Sequence, residues 1–144
     1  MNNKFSRLDV MINIETLGIN IDSSVISIAA LVFDINTGEK IDINGIKQPF
    51  CSILDISKET NLKVDGDTLN WWITKKNSLF LKYFSEDAKK NMHEMFFDFA
   101  SWLKEVKGNT ENIYLWSQGT DFDIAILRNQ MKPYKEIFDF LEIS

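Results

Sequence analysis

The sequence contains a single cysteine, Cys51, and a single histidine, His93, among its 144 residues. One cysteine excludes an internal disulfide and any zinc site built from several cysteines. One histidine excludes a histidine-rich metal centre and leaves only His93 as the base of a Ser/His/Asp triad. The single cysteine and the single histidine therefore exclude sites that need several cysteines or several histidines.

Long apolar segments are also absent. The longest nearly apolar run, residues 25–33, is far too short to cross a bilayer and contains Ser27. Residues 1–7 lack the apolar region of a secretory signal. We therefore expect a soluble, cytoplasmic protein with no membrane partner.

Basic residues are fewer than acidic ones. The sequence has 16 lysines and arginines and 21 acidic residues, so its formal net charge is −5. Proteins held on nucleic acid or on membranes by bulk charge present a basic field, so this balance argues against such binding. An enzyme that handles nucleic acid through bound cations remains compatible with it. In such an enzyme the protein contributes carboxylates and the metal contributes the positive charge.

The chain does have enough apolar residues for one core. They make up 44% of the sequence, and a chain of this length buries roughly two thirds of its extended-chain surface on folding. Without repeats or an interdomain linker, residues 1–144 are predicted to form a single domain.

The hydrophobic periodicity predicts strands first and helices later. Predicted strands cover residues 8–14, a hairpin of residues 25–35 and 40–43, an edge segment 50–53 after a proline, and residues 112–117. Predicted helices cover residues 67–76, 86–107 and 122–131. This order predicts an α/β protein with a mixed sheet flanked by helices.

Polar side chains stand at the ends of two of these strands. The alternating spacing points Asn13 and Glu15 to the same side of the first strand, where both could approach one metal ion or substrate group. Asp123 follows the strand 112–117 and a glycine turn. Carboxylates from two neighbouring strand ends are the minimum for holding two divalent cations about 4 Å apart. The alternative is that these are solvated turn residues, and Asp121 is well explained as a helix N-cap.

Three segments then occur in a characteristic order. Residues 9–18 contain Asn13-Ile14-Glu15-Thr16, residues 68–72 end in two tryptophans, and residues 116–127 place an Asp after a Phe at a helix start. This ordered set resembles the DEDD 3′–5′ exonucleases, whose first motif is Asp-x-Glu-Thr. The paired tryptophans resemble the branch of phage-type exonucleases and their mycobacterial exoribonuclease relatives.

The resemblance implies an RNase H-like fold with a mixed five-stranded sheet and two Mg²⁺ or Mn²⁺ ions held by four carboxylates. It implies that Glu15 binds metal and orients the 3′-terminal nucleotide of single-stranded DNA or RNA. Asp123 would be the carboxylate of the second motif, and Asn13 stands where the family has its first metal-binding Asp. The substrate contacts implied by the resemblance involve Thr16, Leu17, Gly18, Trp71, Trp72 and Phe122.

Two further features of the helices bear on substrate binding. Adjacent helix positions face different ways, so we expect one of the tryptophans Trp71 and Trp72 to be buried and the other to lie near the cleft. The lysine pairs 75–76 and 89–90 could contact phosphates, although paired lysines are typical of a solvated face.

The chain departs from the family pattern in its carboxylates. Asn13 keeps the shape of the family Asp but loses the negative charge that bridges two cations. The third motif, with a His or Tyr general base late in the chain, has no convincing match. His93 and Asp98 have its spacing but precede the second motif, and we interpret them as a polar helix face.

The chain also ends before the family's last helices, and its apolar residues 138–143 are predicted to be covered by a second copy, another subunit or further chain. We therefore expect a 3′–5′ exonuclease-family protein that is weak or inactive in this form. One alternative is a degenerate pseudo-nuclease that binds nucleic acid or a protein partner. The other is an unrelated α/β domain whose carboxylates are accidental.

Overall fold

A computed structural model describes residues 7–43, 45–76, 78, 90–117, 122–134 and 141–143. The strands are β1 (Arg7–Thr16), β2 (Val25–Phe33), β3 (Phe50–Ile53), β4 (Asn112–Ser117) and β5 (Leu141–Ile143). The helices are α1 (Gly66–Lys75), α2 (Met92–Lys107) and α3 (Phe122–Gln130), with short 3₁₀ helices at Ile56–Lys58 and Lys132–Tyr134. None of the helices in these ranges is long and apolar enough to span a membrane.

The strands form one mixed sheet in the order β3-β2-β1-β4-β5. β1 pairs antiparallel with β2 and parallel with β4, and β3 lies at the edge beside β2. The predicted α/β class, with a mixed sheet and flanking helices, is confirmed, as is the edge position of residues 50–53. Because β1 and β4 are parallel neighbours, their carboxyl ends lie at the same end of the sheet.

One face of the sheet carries the core. The alternate residues Leu8, Val10, Ile12 and Ile14 of β1 are all at most 5% exposed, as the two-residue period predicts. The helix α2 supplies the opposing side chains, which are Met95, Phe96, Phe99, Ala100, Trp102, Leu103 and Val106. Each fully buried large apolar side chain stabilises the fold by about 1.5–3 kcal/mol.

The helix α2 begins later than its periodicity predicts. The side chain of Asn91 accepts a hydrogen bond from the backbone N–H of Glu94, and the Glu94 carboxylate accepts one from the Asn91 N–H. This reciprocal capping box starts the helix at Met92. Lys90 instead forms a β-bridge with Leu54, so the predicted helix 86–107 is wrong at residues 90–91. Residues 86–89 lie outside the described residues.

The predicted return strand of the hairpin is also wrong, because beyond a bridge from Phe33 to Lys40 no strand forms at residues 40–43. The side chain of Gln48 makes backbone hydrogen bonds that a pair of β-strands would otherwise have made here. Its carbonyl accepts from the Val32 N–H at 2.7 Å, and its amide donates to the Ile41 carbonyl at 2.8 Å. A side-chain amide thus satisfies backbone groups that a longer ladder would have paired.

A buried carboxylate ties β1 to β4. Asp9 is 4% exposed and accepts hydrogen bonds from the Arg7 guanidinium and from the Trp116 indole, the latter at 2.8 Å. The same guanidinium lies 4.0 Å from the centroid of the Tyr114 ring. A buried carboxylate needs such partners, because an unpaired one is costly to remove from water.

Replacing this carboxylate should destabilise the protein. We expect Asp9→Ala to lower the free energy of unfolding by about 2 kcal/mol, since it leaves the half-buried Trp116 indole N–H without its acceptor. Urea denaturation measures this. Asp42→Ala is the control, because the Asp42 side chain is 86% exposed in its pair with Lys40, and it should cost less than about 0.5 kcal/mol. Equal losses in the two variants would contradict a supporting role for Asp9.

Candidate active site

The structure brings together Asn13, Glu15 and Asp123, the three polar residues singled out in the sequence. Asn13 and Glu15 share one face at the end of β1, and the Asn13 side chain lies near enough to Glu15 to lower the pKa of its carboxyl. Asp123 stands in the first turn of α3, near enough to the backbone N–H of Ile14 that this group lowers the pKa of the Asp123 carboxyl. Asp123 is therefore within electrostatic range of Glu15.

The register of the sheet explains why Ile14 is available to Asp123. Among the described residues, the pairing of β1 with β4 ends at Ile12 opposite Ser117. On its other side, β1 has an irregularity between Glu15 and Thr16. Such irregularities increase local twist and re-aim side chains. The end of β1 is thus the place where the Asp123 side chain of α3 comes near the strand backbone.

The site concentrates negative charge. The pKa of Glu15 is raised above its ordinary value, mainly by burial and also by the charge of Asp123, while the Asn13 hydrogen bond and the charge of Lys76 act in the opposite direction. Burial likewise raises the pKa of Asp123, against the effect of the Ile14 N–H. Two half-buried carboxylates in each other's field favour the binding of a cation.

The helix α1 is held against the end of β1 by two hydrogen bonds. The indole N–H of Trp72 donates to the Thr16 carbonyl at 3.0 Å, and the backbone N–H of Asp65 donates to the Leu17 carbonyl at 2.8 Å. Asp65 also caps the helix through the N–H of Thr68, so the N-cap precedes the predicted start at Asp67 by two residues. Asp65 therefore fixes both the start of α1 and its place beside the site.

The two tryptophans differ as predicted. Trp72 is 2% exposed and belongs to the core, whereas Trp71 is 44% exposed. Their rings meet edge to face at a centroid distance of 5.1 Å, and the ammonium of Lys76 lies 6.0 Å from the centroid of Trp71. The effect of the Lys76 charge on Glu15 could not be inferred from the sequence, because it depends on where α1 docks.

The loop after β1 is tightly packed. Leu17 is buried, so its side chain belongs to the core, and its N–H donates to the Ser24 carbonyl. The Thr16 hydroxyl donates to the Gly18 carbonyl at 2.7 Å. A Cβ added at Gly18 would lie 2.4 Å from the Ser23 hydroxyl oxygen, which itself accepts from the Asn20 N–H. Only glycine fits at this point of the loop.

Other expected residues lie elsewhere. His93 is exposed on α2 and Asp98 pairs with Lys90, as expected for a polar helix face. Phe122 begins α3, but its side chain, like residues 118–121, is outside what the structure describes. In the described ranges, no three His, Cys, Asp or Glu side chains group in a way that could hold a metal ion.

The chain matches a family model over nearly its whole length. The model is that of the 3'-5' exoribonuclease Rv2179c-like domain, and it matches residues 8–142. No curated protein matches the chain significantly. The matched range includes the end of β1, the paired tryptophans and Asp123.

The packing of Gly18 gives a direct test of the loop. Gly18→Ala should lower the free energy of unfolding by about 1–3 kcal/mol, because the new methyl group overlaps Ser23. Gly66→Ala is the matched control, since nothing lies within 4 Å of a Cβ at that position, and it should change stability by about 0.5 kcal/mol or less. Chemical denaturation measures the free energy of unfolding of both variants. An unchanged value for Gly18→Ala would contradict the tight packing of the loop against Gly18.

The charge of Glu15 should affect stability in a pH-dependent way. Because the folded-state pKa of Glu15 is raised above 4.5, this group favours folding most at low pH, and that contribution is lost as pH rises through the folded-state pKa. Without metal, Glu15→Gln should therefore be more stable than wild type at neutral pH, by a difference that grows as pH rises. Urea denaturation from about pH 4 to about pH 8 measures it. A difference that shrinks with rising pH would contradict the assignment.

Proposed function

We propose a function from the premise that the chain belongs to the 3'-5' exoribonuclease Rv2179c-like family: the site at the end of β1 removes nucleotides from the 3′ end of single-stranded RNA. The observation that carries this proposal is the meeting of Glu15, Asn13 and Asp123 at the end of β1, against which the helix of the exposed Trp71 is docked. The mixed sheet, with β1 at its centre, is consistent with an RNase H-like fold. The family belongs to the nucleases, so nucleic acid is the substrate class.

The carboxylates of Glu15 and Asp123 would hold Mg²⁺ or Mn²⁺, with the Asn13 carbonyl as a neutral ligand. This donor set consists of oxygens, which these hard cations prefer. The mutual repulsion of the two carboxylates in a half-buried site is relieved when a cation binds. When bound there, the ion would supply Lewis-acid chemistry at the phosphodiester.

The protein's own groups would position the RNA end. Trp71 offers an exposed aromatic face, and stacking of one base on such a face is worth about 1–3 kcal/mol. Glu15 would orient the 3′-terminal nucleotide, and the backbone of Thr16 and Gly18 would form the wall beside it. The rigid packing of the loop and the docking of α1 would keep these groups in place without reorganisation.

The chemistry is proposed to be slow. The Asn13 amide lowers the pKa of the Glu15 carboxyl, an effect that a carboxylate at this position would not have, and an amide that interacts with Glu15 competes with metal binding there. Asn13 also removes one negative charge from the cation site. A second candidate function follows from the same observation: a pseudo-nuclease that binds RNA ends and does not cut them.

The experiment that tests the proposal is degradation of a 5′-labelled single-stranded RNA with Mn²⁺, alongside EDTA and a DNA strand of the same sequence. We expect a slow ladder that shortens from the 3′ end. Asn13→Asp should raise the rate about tenfold or more, which corresponds to about 1.4 kcal/mol of transition-state stabilisation. Glu15→Gln should abolish it.

The matched control is Asp42→Asn, an exposed carboxylate far from the site in sequence and structure, which should leave the rate unchanged. Shortening that persists in Glu15→Gln would contradict the proposed site. RNA that stays intact in every arm, yet binds to the protein in a Glu15-dependent manner, would favour the pseudo-nuclease.

A further inference from the structure

The two faces of the sheet differ in burial. On β1, the residues that point toward the core and α2 are buried, and the residues that alternate with them point to the other side. We call this other side the front face. Its residues on β1 are Arg7, Asp9, Met11, Asn13 and Glu15, and the register adds Ala29, Leu31 and Phe33 from β2 and Tyr114 and Trp116 from β4.

The front face leads away from the candidate site. Glu15 and Asn13 stand at the site end of β1, and Arg7 stands at the other end of the same strand. At about 3.3 Å per residue, the distance from Glu15 to Arg7 along β1 is about 26 Å. Stacked nucleotides rise about 3.4 Å each along one strand. The front face is therefore long enough for several nucleotides beyond the one at the site.

The middle of the front face is aromatic and only partly covered. Phe33 of β2 and Trp116 of β4 meet edge to face, with a centroid distance of 6.4 Å. Both rings are half-buried, as are the adjacent side chains of Met11, Leu31 and Tyr114. Contiguous apolar surface that remains accessible to solvent is typical of an interaction site. Aromatic side chains on which bases stack are the usual means of binding single-stranded nucleic acid.

The far end of the front face presents a positive charge. Arg7 and Asp9 form an ion pair in which the carboxylate is buried, whereas the Arg7 side chain is 41% exposed. The guanidinium is also fixed in place, because it lies 4.0 Å from the centroid of the Tyr114 ring. The exposed member of the pair is thus the cation, and an exposed, fixed guanidinium suits a phosphate.

We propose that the front face binds the part of a single-stranded RNA that precedes its 3′-terminal nucleotide. Bases would stack on Phe33 and Trp116, and the backbone phosphates would approach Arg7. The proposal rests on the proposed function, which puts the 3′ end of the RNA at Glu15. Because the front face is continuous with that site along β1, the preceding nucleotides have it as their neighbouring surface. A protein seated on the same face would lie against Asn13 and obstruct the site.

The test is fluorescence anisotropy of 5′-labelled single-stranded RNA, with a trinucleotide and a dodecanucleotide, measured in EDTA so that binding is separated from catalysis. Wild type should bind the dodecanucleotide about tenfold or more tightly than the trinucleotide, because only the longer strand reaches the aromatic rings. Phe33→Ala should weaken binding of the dodecanucleotide about fivefold or more, since one stacking platform is lost. It should leave binding of the trinucleotide unchanged.

A second variant predicts a gain, which unfolding cannot produce. Leu31→Lys should tighten binding of the dodecanucleotide about threefold or more, because it adds a cation beside the proposed phosphates. The matched control is Phe97→Lys, which makes the same change of charge at a side chain that is 48% exposed on α2, on the opposite side of the sheet. This control should bind both RNAs as wild type does.

Equal affinity of wild type for the two RNAs, or equal gains in Leu31→Lys and Phe97→Lys, would overturn the proposal. So would a concentration-dependent dimer that Leu31→Lys dissociates without a change in RNA binding, since a second copy would then cover the front face. The degradation assay with Mn²⁺ tests the proposed function separately. Length-dependent binding without any degradation would contradict the proposed catalysis and support the front face as an RNA-binding surface.

Degradation of both RNAs with the same kcat/KM, unaffected by Leu31→Lys, would overturn the front-face proposal and leave the proposed function standing.

Discussion

The hydrogen bond from the buried indole of Trp72 to the Thr16 carbonyl is the contact on which the candidate site depends. The pairing of β1 with β2 is irregular between Glu15 and Thr16, and among the described residues its pairing with β4 ends at Ile12. The half-buried Thr16 carbonyl is satisfied by the Trp72 indole. Because α1 provides it, the helix that carries the exposed Trp71 and is followed by Lys76 is fixed beside the carboxylates.

The end of β1 also concentrates negative charge, from Glu15 and Asp123, that does not stabilise the fold. Burial acts against the ionised forms of Glu15 and Asp123, and the charge of Asp123 also acts against ionisation of Glu15, so the site costs stability in the absence of a cation. Asp9 shows the contrast on the same strand, since its buried carboxylate is fully supported by Arg7 and Trp116. A carboxylate pair left without such support is typical of a functional site. Asn13 contributes no negative charge beside this pair, which is consistent with the slow turnover proposed here.

The sequence predicted the parts of the structure that depend on periodicity. The alternation in β1 identified the buried face and placed Asn13 and Glu15 together, and the apolar spacing of residues 92–106 identified α2. It failed where a single side chain competes with a regular element. The Gln48 amide replaces the return strand of the hairpin, and the Asn91 capping box delays the start of α2, because each satisfies backbone hydrogen bonds that the periodic element would otherwise have made.

By itself, then, the sequence determined the α/β class, the family motifs and the three polar residues at the site, since strand alternation and motif spacing are local properties of the chain. Only the tertiary structure decided what surrounds them. Three contacts show this: Trp116 bonds to Asp9, Gly18 lies close to Ser23, and the Trp72 indole bonds to the Thr16 carbonyl. They join segments that are distant in sequence or are brought together by docking. Contacts of that kind arise from the packing of helices against the sheet, which no local pattern encodes.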